Sequence, residues 1–448
     1  MMILKNASIF FENKTQICDI FCNEKIIQIG KNIPIPSDVE IIDLQGKLLI
    51  PGCIDAHVHF NDPGFTERED FLSGTTAAAY GGITTVIDMP CTSIPAVTNS
   101  ENLNMKLSVI KPKALIDFAL WGGIRGNDLP LKKEQIQKLW NEGVVGFKIY
   151  TISGMETFAA LTYKEIENLF KQFSEILFAF HAEDEEIINN SISKLSDEQM
   201  KLPENYVKTR PVEAEFKAVK KIISSLEKTN KIHFVHISSK KSAELILDSK
   251  LKCDVTFESC PHYLQFTCED LPILKGRLKT APPVKFEEDR DYLRNCLNNG
   301  TLDFVTTDHA GCDYKTGKEN IDFSKVYNGI PGTELLIPYL FSEFYLKEKV
   351  DLRRMIELTS EHAAKRYGLF PEKGSLQIGT DADFTIIDLN KNFTVDETRI
   401  HSKGKYSPFY NTNFSCSIDK TIVRGNIVFD AEEGILQKPG YGKFIRRL

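Results

Sequence analysis

The chain has 448 residues, 42% hydrophobic and 26% charged, and a formal net charge of -7; this is an ordinary globular balance whose sign argues against a nucleic-acid footprint and against anionic membrane surfaces. Its ten cysteines stand singly with no Cys-x-x-Cys, the pattern of reduced thiols and not of a disulfide framework. With no basic-then-apolar leader in Met1-Met2-Ile3-Leu4-Lys5-Asn6 and no apolar run of membrane-spanning length, a cytoplasmic protein is expected.

Residues 1–50 read as short strands at 2–9, 17–22, 25–29 and 40–43, separated by polar turns. The stretch from about 375 repeats that texture, with strands at 383–388, 421–424 and 427–430, the last two joined by Gly425-Asn426. Neither set is large enough to enclose a core, so the two ends are expected to pair into one small β-sandwich. The chain then divides into 1–50, a central domain of 51–372, and 373–448. The central part alternates apolar strands (49–57, 83–88, 115–121, 144–150, 176–181, 231–236, 253–258, 302–307) with helices at 69–80, 133–141, 163–175, 211–227 and 240–249. Eight such units predict an α/β fold of the (β/α)8 TIM-barrel type. No Gly-x-Gly-x-x-Gly follows any strand, as a doubly wound nucleotide-binding sheet would require. Thr66 and Glu69 have capping-box spacing at the first helix. The polar stretch 189–210 is expected near the rim of the site.

Polar groups end these strands. His57 and His59 share one face of the first strand end, and Lys148, His181, His236 and Asp308 end the fourth, fifth, sixth and eighth. A barrel opens all its strand ends onto one mouth, so these six residues should meet. Four of only nine histidines, with a carboxylate, point to a metal site. A lysine beside divalent cations has a lowered pKa. Its free amine can add carbon dioxide, and the resulting carbamate suits two ions about 3.5–4 Å apart; a salt-bridged lysine at the mouth is the other reading of this position. Two such ions lower the pKa of a shared hydroxide toward about 7, and Asp308 could orient it and carry its proton to a leaving nitrogen. The reaction class is then metal-assisted hydrolysis of an amide-like bond. His233 is out of phase with His236 and reads as structural, and His309 as a group behind the ligands. His262 is equally a substrate neighbour or a packing residue. Residues 329–332 either bring main chain to the substrate or simply turn.

Pro51-Gly52-Cys53-Ile54-Asp55-Ala56-His57-Val58-His59, Gly146-Phe147-Lys148, His236-Ile237-Ser238-Ser239 and Thr307-Asp308-His309 resemble the signatures of the amidohydrolase superfamily. Within it the chain is similar to the cyclic amidohydrolases, the group of dihydroorotases, allantoinases, hydantoinases and dihydropyrimidinases. The resemblance implies a composite β-sandwich, a carboxylated Lys148 and two zinc-type ions. One ion would be held by His57, His59 and Asp308, the other by His181 and His236, with Lys148 bridging. It also implies a homodimer or homotetramer acting on a small cyclic amide. Asn61, Cys91 and Cys312 replace the arginine, asparagine and histidine with which dihydroorotases grip a carboxylate. With His262, these positions are the expected substrate contacts. His57 to Gly64, Glu258 to Tyr263, Ala281-Pro282-Pro283 and Asp308 to Cys312 look like allantoinase segments, although Phe65 and Arg68 stand where arginine and tryptophan are usual. Ser153 replaces a tyrosine of the hydantoinases. The resemblance therefore favours allantoin as substrate. The alternatives are a dihydroorotase with a rebuilt carboxylate pocket, using Arg68 or Arg125, then a hydantoinase or dihydropyrimidinase, then a non-catalytic scaffold relative.

Overall fold

The computed structural model describes residues 1–34 and 36–448. Strands from both chain ends hydrogen-bond into one continuous sheet. Its order runs 434–435, 426–430, 417–423, 384–388, 48–51, 2–11, 14–22, 26–30, with 40–43 paired to 2–11. The joint between the two ends is Leu48–Pro51 against Phe384–Asp388, antiparallel, with Phe384 opposite Pro51 and Ile387 opposite Leu48. Leu4, Ile9, Ile20, Leu49, Phe384, Ile386 and Ile422 form a core that neither end could enclose alone.

The expected strand 49–57 is cut in two at Gly52. Leu48–Pro51 belongs to the end sheet and Cys53–Val58 to the barrel. A β-carbon on Gly52 would lie 2.2 Å from Thr84 Oγ1 and 2.7 Å from Asp383 Cβ, so only glycine lets the chain cross there. Gly52 N donates to Asp383 O at 2.8 Å, which ties the start of the central insert to its end.

Parallel pairing runs from Cys53–Val58 through Ile83–Asp88 to Asp117–Leu120, and from Gly122–Gly123 through Phe147–Tyr150, Leu177–His181, Lys231–Phe234 and Asp254–Ser259 to Phe304–Val305. The two arcs share the third strand, where Trp121 N donates back to Asp88 O and Gly122 N forward to Gly146 O. At the other seam Val58 bridges His309, with His59 N donating to His309 O at 2.8 Å. The ring is thus tied at the segment that carries the histidines.

Helices Lys133–Asn141 and Lys240–Ser249 fall where the apolar period predicts, Val212–Ser224 is trimmed at both ends, and Tyr163–Gln172 stops short of 175. The first helix is Phe71–Tyr80, and its capping box is Asp70 with Ser73, not Thr66 with Glu69. Glu69 is withdrawn into the core, where its carboxylate accepts from Ser402 and lies 3.1 Å from His309 Nε2; this need outweighs a cap that Asp70 can supply. The stretch 189–210 folds into short helices and delivers Arg210 to the rim. After the sheet, the C-terminal tail runs back along the barrel, with Phe444 bridging Phe118. Among the described residues no helix is long and apolar enough to cross a membrane.

Candidate metal centre at the barrel mouth

Three chain segments that leave the barrel strand ends pass through the left-handed region, two of them, at His236 and Asp308, with side chains that line the mouth. Asn61, His236 and Asp308 have φ of +48°, +41° and +50°. This left-handed conformation costs about 1–3 kcal/mol for a residue with a β-carbon, and His, Asn and Asp tolerate it best. The six predicted strand-end groups are together. His57 Nε2 lies 3.1 Å and His59 Nε2 3.2 Å from Asp308 Oδ1. His181 Nδ1 faces His236 Nε2 at 3.1 Å. The two sets adjoin, with the His57 and His236 ring centres 5.4 Å apart. Lys148 is fully buried behind them, its Nζ 5.2 Å from the Tyr150 ring centre.

The donor set fits divalent cations. His57 Nε2, His236 Nδ1 and Lys148 Nζ are buried polar atoms with no hydrogen-bond partner among the described residues, a costly state unless something else engages them. Ligand bonds of about 2.0–2.1 Å at tetrahedral angles put neighbouring ligand atoms roughly 3.3 Å apart, close to the separations seen here. Burial lowers Lys148 to about 8 despite the nearby Asp308 carboxylate, so its free amine is accessible near neutrality. Burial also lowers His57 to about 4, keeping that imidazole neutral as a ligand must be.

Two buried carboxylates orient the histidines. Glu258 Oε1 is 2.5 Å from His57 Nδ1, and its other oxygen is 3.0 Å from His233 Nε2, which gives His233 its structural role. Glu183 Oε2 is 2.9 Å from His181 Nε2, and the same carboxylate holds Arg210. His309 turns away from the mouth toward Glu69, and its Nδ1 accepts from Gly332 N at 3.2 Å. It anchors 329–332, so that segment does not reach the cavity with its main chain.

The mouth opens into a cavity of about 610 Å³ lined by His59, His181, His236, Asp308, Cys91 and Tyr150, with Ser153, Arg68, Arg210 and Asn328 farther out. Of the expected substrate contacts, only Cys91 lines it, with Sγ 3.6 Å from His59 Nδ1 and 3.2 Å from Tyr150 Oη. Asn61 is fully buried and absent from the lining, and neither atom of its amide has a hydrogen-bond partner among the described residues. His262 packs on Tyr263 and lines a separate small pocket with Thr307 and Ile330. Cys312 faces Tyr406 Oη at 3.6 Å, under a C-terminal segment that covers it. Arg125 is engaged by Asp128 and Thr157 O and does not line the cavity.

Sequence reasoning passed over Tyr150, Glu258, Glu183 and Arg210. Tyr150 had a signal: it stands two residues after Lys148 on one strand, hence on the same face. Glu258 likewise ends its strand. Glu183 and Arg210 lie in irregular chain and carry no periodicity. A second cluster, Asp117, Asp381 and Asp383, also has cation-site spacing. There Lys373 Nζ fills the centre, 2.5–2.9 Å from each carboxylate, so it is an ion-pair network.

Two arcs of parallel strands tied through the Val58–His309 bridge, with imidazoles and a carboxylate converging at their C-terminal mouth, have the layout of a metal-dependent hydrolase. The chain belongs to the amidohydrolase family, whose model ("Amidohydrolase family") matches residues 48–428, and it is an enzyme of that family, hydrolysing amide-type C–N bonds. It is 35% identical to the allantoinase of Rubrobacter xylanophilus over 91% of this chain and 89% of that one. It is 32% identical to the dihydroorotase of Methanosarcina acetivorans over 99% and 94%. The L-hydantoinase (dihydropyrimidinase) of Arthrobacter aurescens superposes with a TM-score of 0.94 at 30% identity, over 100% and 99% of the two chains.

Proposed function

We propose that the enzyme opens the cyclic amide bond of a neutral ureide ring, with allantoin giving allantoate. The observation that carries this reading is the mouth itself. Six metal-type donors converge beside a cavity, and of the three positions that resemble the carboxylate grip of a dihydroorotase, Asn61, Cys91 and Cys312, none is cationic and only Cys91 lines that cavity. The similarity to allantoinases supports the same choice.

In this reading His57, His59 and Asp308 would hold one divalent ion of zinc type and His181 and His236 a second. Lys148 would serve with them as a carbamate ligand, its free amine adding carbon dioxide and releasing a proton. Such ions, when bound, would supply Lewis acidity toward the scissile carbonyl and lower the pKa of a nearby water. Asp308 takes the proton of the attacking water and passes it to the ring nitrogen as the C–N bond breaks. Glu258 and Glu183 hold His57 and His181 in their orientations, as carboxylates do behind metal-bound imidazoles. Tyr150, Ser153 and Asn328, which line the cavity, offer hydrogen bonds to the ring's carbonyl and amide edges. We further propose division into an end-sheet domain (1–50 and 373–448) around a catalytic insert (51–372), a homo-oligomeric state and a cytoplasmic location.

The decisive assay offers allantoin, dihydroorotate, dihydrouracil and hydantoin side by side to the metal-loaded protein. Allantoin is the expected substrate, and turnover of dihydroorotate alone would overturn the proposal in favour of a dihydroorotase. Metal analysis of the same preparation should give close to two divalent ions per chain. Near-zero metal after gentle purification would favour a non-catalytic relative.

A further inference from the structure

The cavity wall carries two guanidinium groups in unlike situations. Arg210 is committed to the buried Glu183 carboxylate. Arg68, which the chemistry above does not use, is held by ring faces instead: its guanidinium carbon lies 4.4 Å from the Phe65 ring centre and 4.9 Å from that of Tyr327. The carboxylate recorded nearest it, Glu67, is 3.9 Å from Nε, beyond hydrogen-bond reach. Among the described residues no carboxylate or main-chain oxygen accepts a hydrogen bond from this group. The Tyr327 hydroxyl also faces the group; of the five N–H donors of a guanidinium, the rest have no protein acceptor among the described residues. The side chain is about a third exposed (34%), and it reaches the cavity from the loop that follows His59.

We propose that Arg68 receives the exocyclic arm of the ring substrate through an sp2 oxygen carried on that arm, either a ureido carbonyl or a carboxylate. The inference rests on the reading of this cavity as a cyclic-amide site. It follows from placement. The bond to be broken must lie against Asp308 and the histidines, so whatever projects from the ring points outward, toward the wall where Arg68 stands. The two rings hold the fork in place before substrate arrives, and the Tyr327 hydroxyl is the one protein group competing for its N–H donors among the described residues, so little ordering cost is left to meet on binding. A carbonyl takes one or two N–H groups from such a fork and a carboxylate takes two side by side, which makes Arg68 a specificity-determining residue for arm-bearing over arm-less rings.

The test compares wild type, Arg68→Gln and Arg68→Lys, all metal-loaded, on allantoin (ureido arm), hydantoin-5-acetate (carboxylate arm) and hydantoin (no arm). KM is measured for rings that are opened and Ki for rings that only bind. The expected result for Arg68→Gln is a loss of roughly tenfold or more in affinity for the preferred arm-bearing ring, toward that of hydantoin. The expected change in kcat is under about threefold and in melting temperature nil, with a smaller affinity loss in Arg68→Lys, which keeps the charge without the planar fork. Which arm loses identifies the oxygen recognised. An equal shift for hydantoin, a fall in kcat for every ring, or failure of wild type to bind either arm-bearing ring more tightly than hydantoin would overturn the assignment. A wild type that selects the carboxylate ring and ignores allantoin would defeat the proposed substrate while leaving the role of Arg68 intact.

Discussion

Two buried lysines sit at opposite ends of this barrel, and they behave as different residues. Lys373, at the closed end, is surrounded by Asp117, Asp381 and Asp383 within 2.9 Å, and these carboxylates hold it far above the ordinary lysine range. Arg424 completes that network by pairing with Asp117 and donating from its own N–H to Asp383. Lys148, at the mouth, has no hydrogen-bond partner among the described residues and is lowered to about 8 by burial. Desolvation is common to both; partners decide the sign. Where the charge is matched the cluster joins barrel to end sheet, and where it is left unmatched the amine is free for chemistry.

The sharpest way to break that comparison is to remove each lysine in turn. Lys148→Ala should lower kcat by at least about a thousandfold, the scale of losing an essential catalytic group, with melting temperature unchanged and partial rescue by added short carboxylates. Full turnover in that variant would mean that the unmatched amine is idle. Lys373→Ala should do the opposite. It leaves Asp383 without a cationic side chain, Asp117 with Arg424 alone and Asp381 with Lys25 alone, and loss of one partner from a buried pair costs about 3–5 kcal/mol, read as a lower unfolding midpoint. The folded fraction should keep its kcat. An unchanged midpoint would show that the network contributes nothing to joining the two parts.

Smaller effects test how far the mouth depends on its supports. Glu258→Gln should weaken metal affinity about 10- to 100-fold, as loss of an orienting carboxylate does, measured by competition with a chelator; His57 would lose the group that fixes its ring. Tyr150→Phe removes one hydroxyl beside Cys91 and should change kcat/KM by about tenfold or less. If Tyr150→Phe cost more than Glu258→Gln, the ranking of substrate wall below metal support would be reversed.

Much of this was legible in the residues. Alternation placed His57 beside His59 and would have placed Tyr150 beside Lys148, because a strand repeats every two residues. Apolar runs located each barrel strand to within a few residues, since a strand buried on both faces has little freedom in composition. What failed did so where irregular chain or a competing partner decides. Asn61, Cys312 and His262 were expected at the substrate. Burial of Asn61, a C-terminal segment over Cys312 and packing of His262 on Tyr263 keep them from the cavity. Glu69 left its cap for His309 and Ser402, partners more than two hundred residues away.

The amino-acid order by itself determined the period of every barrel strand, the pairing of the chain ends and the identity of six strand-end groups, because each depends on local spacing and on apolar patterning. Only the tertiary structure decided which buried charges are matched, which polar atoms are left without partners and which side chains reach the cavity. Those outcomes depend on what burial brings within about 3 Å of a group, and no spacing along the chain encodes that distance.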